Sequence, residues 1–274
     1  MASRKIVLVT GGNNGIGYEI VKALLESENP YHVLLGSRSL SKAKAAVENL
    51  KSEVPDTSNT VEILQVDLTS DESIEKAFEQ VKNGHGYLDV LINNAGVSFD
   101  PAYLAGKVSL RECFNNAYDV NVAGTHVLTH TFIPLLLASK SHSPSPSTPS
   151  SPRLIFVAGL SQITVAAKNY FPTPPQPAGW PKKIEFETIG YRSSKVALNM
   201  LMLDWSFKLK EDGVMVWAVG PGFLTTDLGG IREMAVKMGT KHPSAGGRLL
   251  RSVVEGERDA DVGKLINKDG ISPF

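Results

Sequence analysis

Apolar and polar positions fall in two alternating rhythms along the chain. Six short runs rich in β-branched and aliphatic residues, at 5–10, 32–36, 60–66, 90–93, 153–157 and 214–219, read as strands. Between them, segments 15–27, 40–51, 71–82, 122–139 and 193–210 repeat their apolar residues at helical spacing. This order predicts βαβ units. The runs IVLV and LIFV are apolar at every position, so their strands are covered on both faces, as in a parallel sheet under helices. The expected architecture is α/β: a doubly wound parallel sheet in a three-layer αβα sandwich, one domain over residues 1–274.

Two stretches interrupt the rhythm. Residues 139–152 form a Ser/Pro tract that can bury little, and an exposed loop is expected there. Residues 168–190 are also Pro-rich but carry Tyr170, Phe171, Trp180 and Phe186. They read either as a lid over a substrate or as a loop that covers the scaffold alone.

Composition narrows the partners. Lys+Arg and Asp+Glu balance at 28 each, so no global field favours nucleic acid or an anionic membrane. The single cysteine, Cys113, excludes an intramolecular disulfide framework and a multi-cysteine metal site, and suits a reducing compartment. The start MASRKIVLVT lacks the apolar region of a signal peptide, and no segment approaches transmembrane length. A soluble, cytoplasmic protein is expected, with no nucleic-acid, membrane or metal partner.

Candidate chemistry begins where the first strand meets TGGNNGIG at 10–17 and a helix follows. Glycines there let backbone approach a pyrophosphate, whose charge meets the unpaired N–H groups of the helix start. The second strand ends in Gly36, Ser37 and Arg38, where an NAD enzyme would carry an acidic residue for the ribose hydroxyl. A guanidinium suits a 2′-phosphate, so NADPH is the expected cofactor; otherwise Arg38 is a solvated residue at a helix start. Asp67 at the third strand end could accept from an adenine amino group or cap the next helix. Asn93 and Asn94, before Ala95 and Gly96, could touch a ligand or clamp neighbouring strands.

TGGNNGIG, VDL, NNAG, DVNVAGT, YRSSK and GPGFLTT stand in the order and spacing of the short-chain dehydrogenase/reductase superfamily, which the chain resembles from residue 5 to about 229. The resemblance is to its carbonyl-reductase-like members with an insertion before the Tyr-x-x-x-Lys helix, and it implies a Rossmann-type fold. It carries cofactor contacts onto Gly11, Asn14, Gly15, Ile16, Gly17, Ser37, Arg38, Asp67, Leu68, Asn93, Asn94, Ala95, Gly96, Pro221, Gly222, Leu224 and Thr226.

Tyr-x-x-x-Lys occurs three times, from Tyr18, Tyr103 and Tyr191, and only the third opens a long helix leading to the sixth strand. Residues four apart on a helix share a face, so Tyr191 and Lys195 can meet. A phenol titrates near pH ~10, and proton transfer near neutrality asks for a shift of about three units, roughly 4 kcal/mol. An adjacent ammonium would supply much of that. The resemblance implies Tyr191 as general acid, Lys195 as its pKa modulator and a cofactor ligand, and Asn121 as the residue that bends its helix and holds a water; by itself Asn121 could be a cap. Family strands at this point end in two serines, the second aligning the substrate carbonyl. Here Ala158 and Gly159 stand there, and Ser161 takes the role only if the loop returns its hydroxyl to that point. Loss of such a donor costs about 2.7–4 kcal/mol in the transition state.

The resulting expectation is an NADPH-dependent reductase of a bulky hydrophobic ketone or secondary-metabolite intermediate. The alternatives are an NADPH-binding sensor or scaffold without turnover, and a non-redox metabolite cyclase on the same fold. The apolar helix after Tyr191 suits a homodimer face, and a monomer is the other expectation.

Overall fold

The structure, a computed structural model, describes residues 4–142, 151–171 and 173–274. One sheet carries eight strands in the order β3-β2-β1-β4-β5-β6-β7-β8. The six expected strands are β1 Lys5–Thr10, β2 Tyr31–Ser37, β3 Thr60–Gln65, β4 Val90–Asn93, β5 Arg153–Val157 and β6 Met215–Val219. They run parallel, as does β7 Leu265–Asn267; only β8 Gly270–Ser272 turns back antiparallel. These last two are three residues each, too short for an alternation to be read.

The helices are α1 Gly15–Leu25, α2 Leu40–Glu53, α3 Asp71–Gly84, α4 Asp100–Leu104, α5 Leu110–Tyr118, α6 Thr125–Ser139, α7 Ile163–Lys168, α8 Ile189–Lys208, α9 Arg232–Lys237 and α10 Ser244–Glu255. Serine caps start several of them: Ser39, Ser70 and Ser109 accept from Lys42 N, Ser73 N and Glu112 N. The apolar run of β1 explains the layers. Ile6 and Leu8 join a core with side chains of α3, α6 and α8, while Val7 and Val9 join a second core with α1, α2 and α10. Both faces are therefore covered, and the fold is the expected single α/β domain.

The helical run Leu110–His142 spans 33 residues with a window of mean hydropathy 1.3, long and apolar enough to cross a membrane, which corrects the expectation that no segment reaches that length. Its Leu128, Phe132, Leu135 and Leu136 lie in the core against the sheet. Of the expected Ser/Pro loop, Ser139 closes α6, buried, and donates to Asp89 Oδ1 at 2.5 Å; residues 143–150 lie outside the described residues.

The tail past Gly229, which carries no recognised motif, closes the second core. Gly247 of α10 lies against α1 so closely that a Cβ there would sit 2.3 Å from Glu19 O. At the start of β5, the buried Arg153 donates to both carboxylate oxygens of Asp259, at 2.5 and 3.0 Å, and to Val253 O at 3.0 Å, over the Trp217 ring. Asp259→Ala leaves that guanidinium without its anion; hydrogen bonds to charged groups are worth about 1.5–3 kcal/mol, and urea unfolding should report a loss of that size.

Candidate active site

Strand order reverses between β1 and β4, and a cleft of about 410 Å³ opens there at the carboxyl ends of the strands. Gly11, Asn14, Gly15, Ile16 and Gly17 line it. Gly11 and Gly15 hold φ of +65° and +55°, and a Cβ on Gly17 would lie 2.2 Å from Gly11 O, so the turn tolerates little but glycine. Asn14 caps α1 without a side-chain hydrogen bond, and the first turn of α1 has no acidic residue. The donors at that helix start therefore keep their capacity for an external anion.

At the far end of the cleft stand Ser37 and Arg38, joined by Asn13, Ser39 and Lys42. Ser37 Oγ donates to Asn13 Oδ1 at 3.1 Å, and Arg38 and Lys42 are exposed. Sequence reading missed Lys42, although it lies four residues beyond Arg38, one turn into α2. Asp67 and Leu68 form the adjoining wall. One Asp67 oxygen accepts from Thr69 N and Thr69 Oγ1, at 3.0 and 2.9 Å, and it is Ser70 that caps α3.

The two asparagines after β4 part company. Asn94 lines the cleft and donates to Thr10 O at 2.8 Å, tying this loop to the β1 turn; Ala95 and Gly96 also line it. Asn93 is a correction: it is buried, donates to Thr129 Oγ1 of α6 at 2.9 Å, and does not line the cleft. Successive strand residues face opposite sides, which sends these neighbours apart. Pro221, Gly222 and Leu224 likewise line not this cleft but a second, apolar pocket beside it, while Thr226 lines both.

Tyr191 also lines both. It sits in the first turn of α8, whose start is fully satisfied: Glu187 Oε1 accepts from Thr188 N and Ile189 N, at 2.8 and 3.1 Å, and the buried Asp100 carboxylate accepts from Gly190 N and Tyr191 N, at 2.7 and 2.9 Å. Sequence reading missed Asp100, which acts across ninety positions and follows no local spacing. Lys195, one turn on, is buried and donates to Val157 O at 3.0 Å; its Nζ lies 5.6 Å from the Tyr191 ring centroid. Asn121 sits within a π-helical turn, Asp119–Gly124, that interrupts the helix between α5 and α6. Its Oδ1 accepts from Val97 N at 2.8 Å, and its Nδ2 donates to Val97 O and Ser194 Oγ, both at 2.9 Å. A Cβ on Gly96 would lie 3.2 Å from Lys195 Nζ and 3.3 Å from Asn121 Oδ1, so Gly96 brings these groups together.

Burial governs the protons. It pushes the Lys195 ammonium down to about 8 and holds the Tyr191 phenol well above its ordinary value. Burial disfavours phenolate and ammonium alike, and on Tyr191 it works against the lowering expected from Lys195. The phenol of Tyr191 thus stays protonated.

A family model described as short chain dehydrogenase matches residues 5–143. The short-chain dehydrogenase/reductase tropE of Talaromyces stipitatus is 46% identical over 100% of this chain and 99% of its own length. The chain is a short-chain dehydrogenase/reductase. The short-chain dehydrogenase/reductase eupG of Phoma sp is 42% identical over 98% of this chain and 97% of its own. Among solved structures, NADPH-bound carbonyl reductase from chicken fatty liver superposes with a TM-score of 0.76 at 24% identity, each chain covered fully. The 3-oxoacyl-[acyl-carrier protein] reductase from Brucella melitensis in complex with NAD gives 0.73 at 22% identity, covering 97% and 96%. These likenesses confirm the Rossmann-type fold of an oxidoreductase family.

At the end of β5 this short-chain dehydrogenase/reductase has its own arrangement. A Cβ on Gly159 would lie 4.0 Å from the Tyr191 hydroxyl, so Gly159 occupies the position facing that phenol. Ser161 does not return there. Leu160 takes a left-handed φ of +60°, and the chain turns so that Ser161 Oγ donates to Ala158 O at 2.8 Å, buried and outside both pockets. The serine serves its own turn, against the expectation that it replaces the lost donor. Ser161→Ala should cost about 1 kcal/mol of stability by thermal or urea unfolding. Its kcat should fall far less than the roughly 10²–10³-fold that removal of an oxyanion donor costs.

Proposed function

We propose that the protein is an NADPH-dependent reductase of a bulky hydrophobic ketone, of the kind met as an intermediate in secondary metabolism. One observation carries the reading: Tyr191, kept protonated by burial, stands where the polar cleft meets the apolar pocket. The residues of the cleft fit a dinucleotide phosphate, with glycines where a Cβ would strike backbone and a helix start free of competing acids. Arg38 and Lys42, with no carboxylate beside them at the end of β2, support a 2′-phosphate on the ribose.

When bound, the nicotinamide would supply the hydride. Tyr191 would donate its proton to the carbonyl oxygen, Lys195 would hold the ribose beside it, and Asn121 would fix the loop at Val97 that walls the site. Leu160, Phe186, Phe223, Ile231 and Ala235 would enclose the apolar body of the substrate. Phe171 and Phe186 pack on Phe223, with ring centroids 5.9 and 6.4 Å away, which supports a lid from residues 168–190; Trp180 stands 87% exposed beyond it. Gly159, in place of a hydroxyl donor, leaves room for a wide substrate and assigns carbonyl polarisation chiefly to Tyr191. The same glycine favours the second reading, an NADPH-binding protein without turnover.

Purified protein should oxidise NADPH in the presence of bulky aromatic ketones, followed by loss of nicotinamide absorbance. Tyr191→Phe should lower kcat by about 10²-fold or more, the scale of general-acid catalysis. Arg38→Ala should raise KM for NADPH while sparing that for NADH. NADPH binding without turnover across the panel would overturn the reductase reading in favour of the second.

The pH profile follows from Lys195. Its ammonium is retained below its depressed value of about 8 and lost above it. The ratio kcat/KM for NADPH, which reports groups of the free enzyme, should be level below about pH 8 and fall as pH rises through it.

A further inference from the structure

At the opposite ends of the strands from the cleft, three side chains from different elements converge. His32 lies on β2, Glu62 on β3, and His85 directly follows α3. His32 stands level with Thr60 across the β2–β3 ladder, and Glu62 comes two residues later, on the same face of β3. Leu34 and Leu64 continue that face into the core beneath α3. A polar cluster thus occupies the end of an otherwise apolar strip, and α3 ends over it.

We propose that His32, Glu62 and His85 form a structural zinc site, completed by water, that fastens the edge strand β3 to β2 and to the end of α3. His32 Nε2 lies 3.2 Å and His85 Nε2 3.5 Å from the same oxygen, Glu62 Oε2, and one ligand atom from each of the three residues lies within 4.8 Å of the others. Zinc takes imidazole nitrogen and carboxylate oxygen at about 2.0–2.1 Å in a tetrahedron, whose edge is then about 3.3–3.4 Å. Two of the three edges already have that length.

The surroundings are those of a metal site as well. His32 Nδ1 meets Thr60 Oγ1 at 2.7 Å, which orients the ring with Nε2 toward Glu62. Gln80 Nε2 donates to Glu62 Oε1 at 3.2 Å, which holds the other carboxylate oxygen away and leaves Oε2 for the cation. Outer partners of this kind fix ligand orientation and raise affinity. Two imidazoles and one carboxylate, with room for water on a half-exposed surface, suit zinc better than the all-oxygen shells of magnesium or calcium. The sheet end is remote from Tyr191, so the ion acts on stability rather than on the reaction.

The same contacts also suit His32 hydrogen-bonded to Glu62 with His85 beside them, and metal titration separates the cases. Tag-free protein, stripped with chelator and dialysed, is titrated with zinc chloride against a chromophoric competitor, with melting curves taken in parallel. The expected result is one zinc per chain, a raised Tm, and at least tenfold weaker binding in His32→Ala and in His85→Ala. His126→Ala, which alters the histidine pair one turn apart on α6, should bind as the wild type does. His85 lies past the helix end and is partly exposed, so its variant should keep the metal-free Tm nearly unchanged. No saturable equivalent, or an equivalent that survives both substitutions, would overturn the proposal.

Discussion

Every helix begins with backbone donors that have no partner inside the helix, and the active site rests on how two such beginnings are treated. α8 spends its first donors within the protein: Glu187 and Asp100 accept all four N–H groups from Thr188 to Tyr191. α1 does not, because Asn14 makes no cap bond and its first turn holds no acid. One helix end is therefore locked and the other kept open to an anion. The locked end fixes the backbone that carries Tyr191; the open end keeps donors to which an anion could bind.

Burial is the second constraint on the site. Lys195 is buried and Tyr191 is partly buried, and their ionised forms are both disfavoured there. Their pairing sets a neutral phenol beside an ammonium that burial makes easier to deprotonate. Asn121 holds Val97 by both its backbone N–H and its carbonyl, and its π-helical turn is the deformation that lets the amide reach that loop. Gly96 permits the approach, since any side chain there would meet Lys195 and Asn121 at once.

Periodicity made most of the scaffold legible. The six main strands were readable within about a residue because most are apolar on both faces, and five of the long helices followed from spacing. α10 was not legible: its Gly246 and Gly247 weaken the helical signal, yet they are what allows contact with α1 and with the turn after β6. The Tyr191–Lys195 pair was readable because one helical turn joins its members. Asp100 was not, since it meets α8 only through the fold. Asn93 and Asn94 look equivalent in the sequence, and strand alternation alone divides them into a core clamp and a cleft wall. Ser161 misled because a single left-handed residue, Leu160, reversed the direction of its hydroxyl.

The contact between α10 and α1 bears on the order in which the protein matures. α1 opens the cleft and leaves the ribosome long before α10, but one of its faces rests backbone to backbone on residues near 247. Until those residues have been synthesised, Ile20 and Leu24 of α1 lack the covering that Leu250, Val253 and Val254 provide. Local strand pairing can begin early, whereas the glycine-rich turn at the head of α1 gains its full support only late in synthesis.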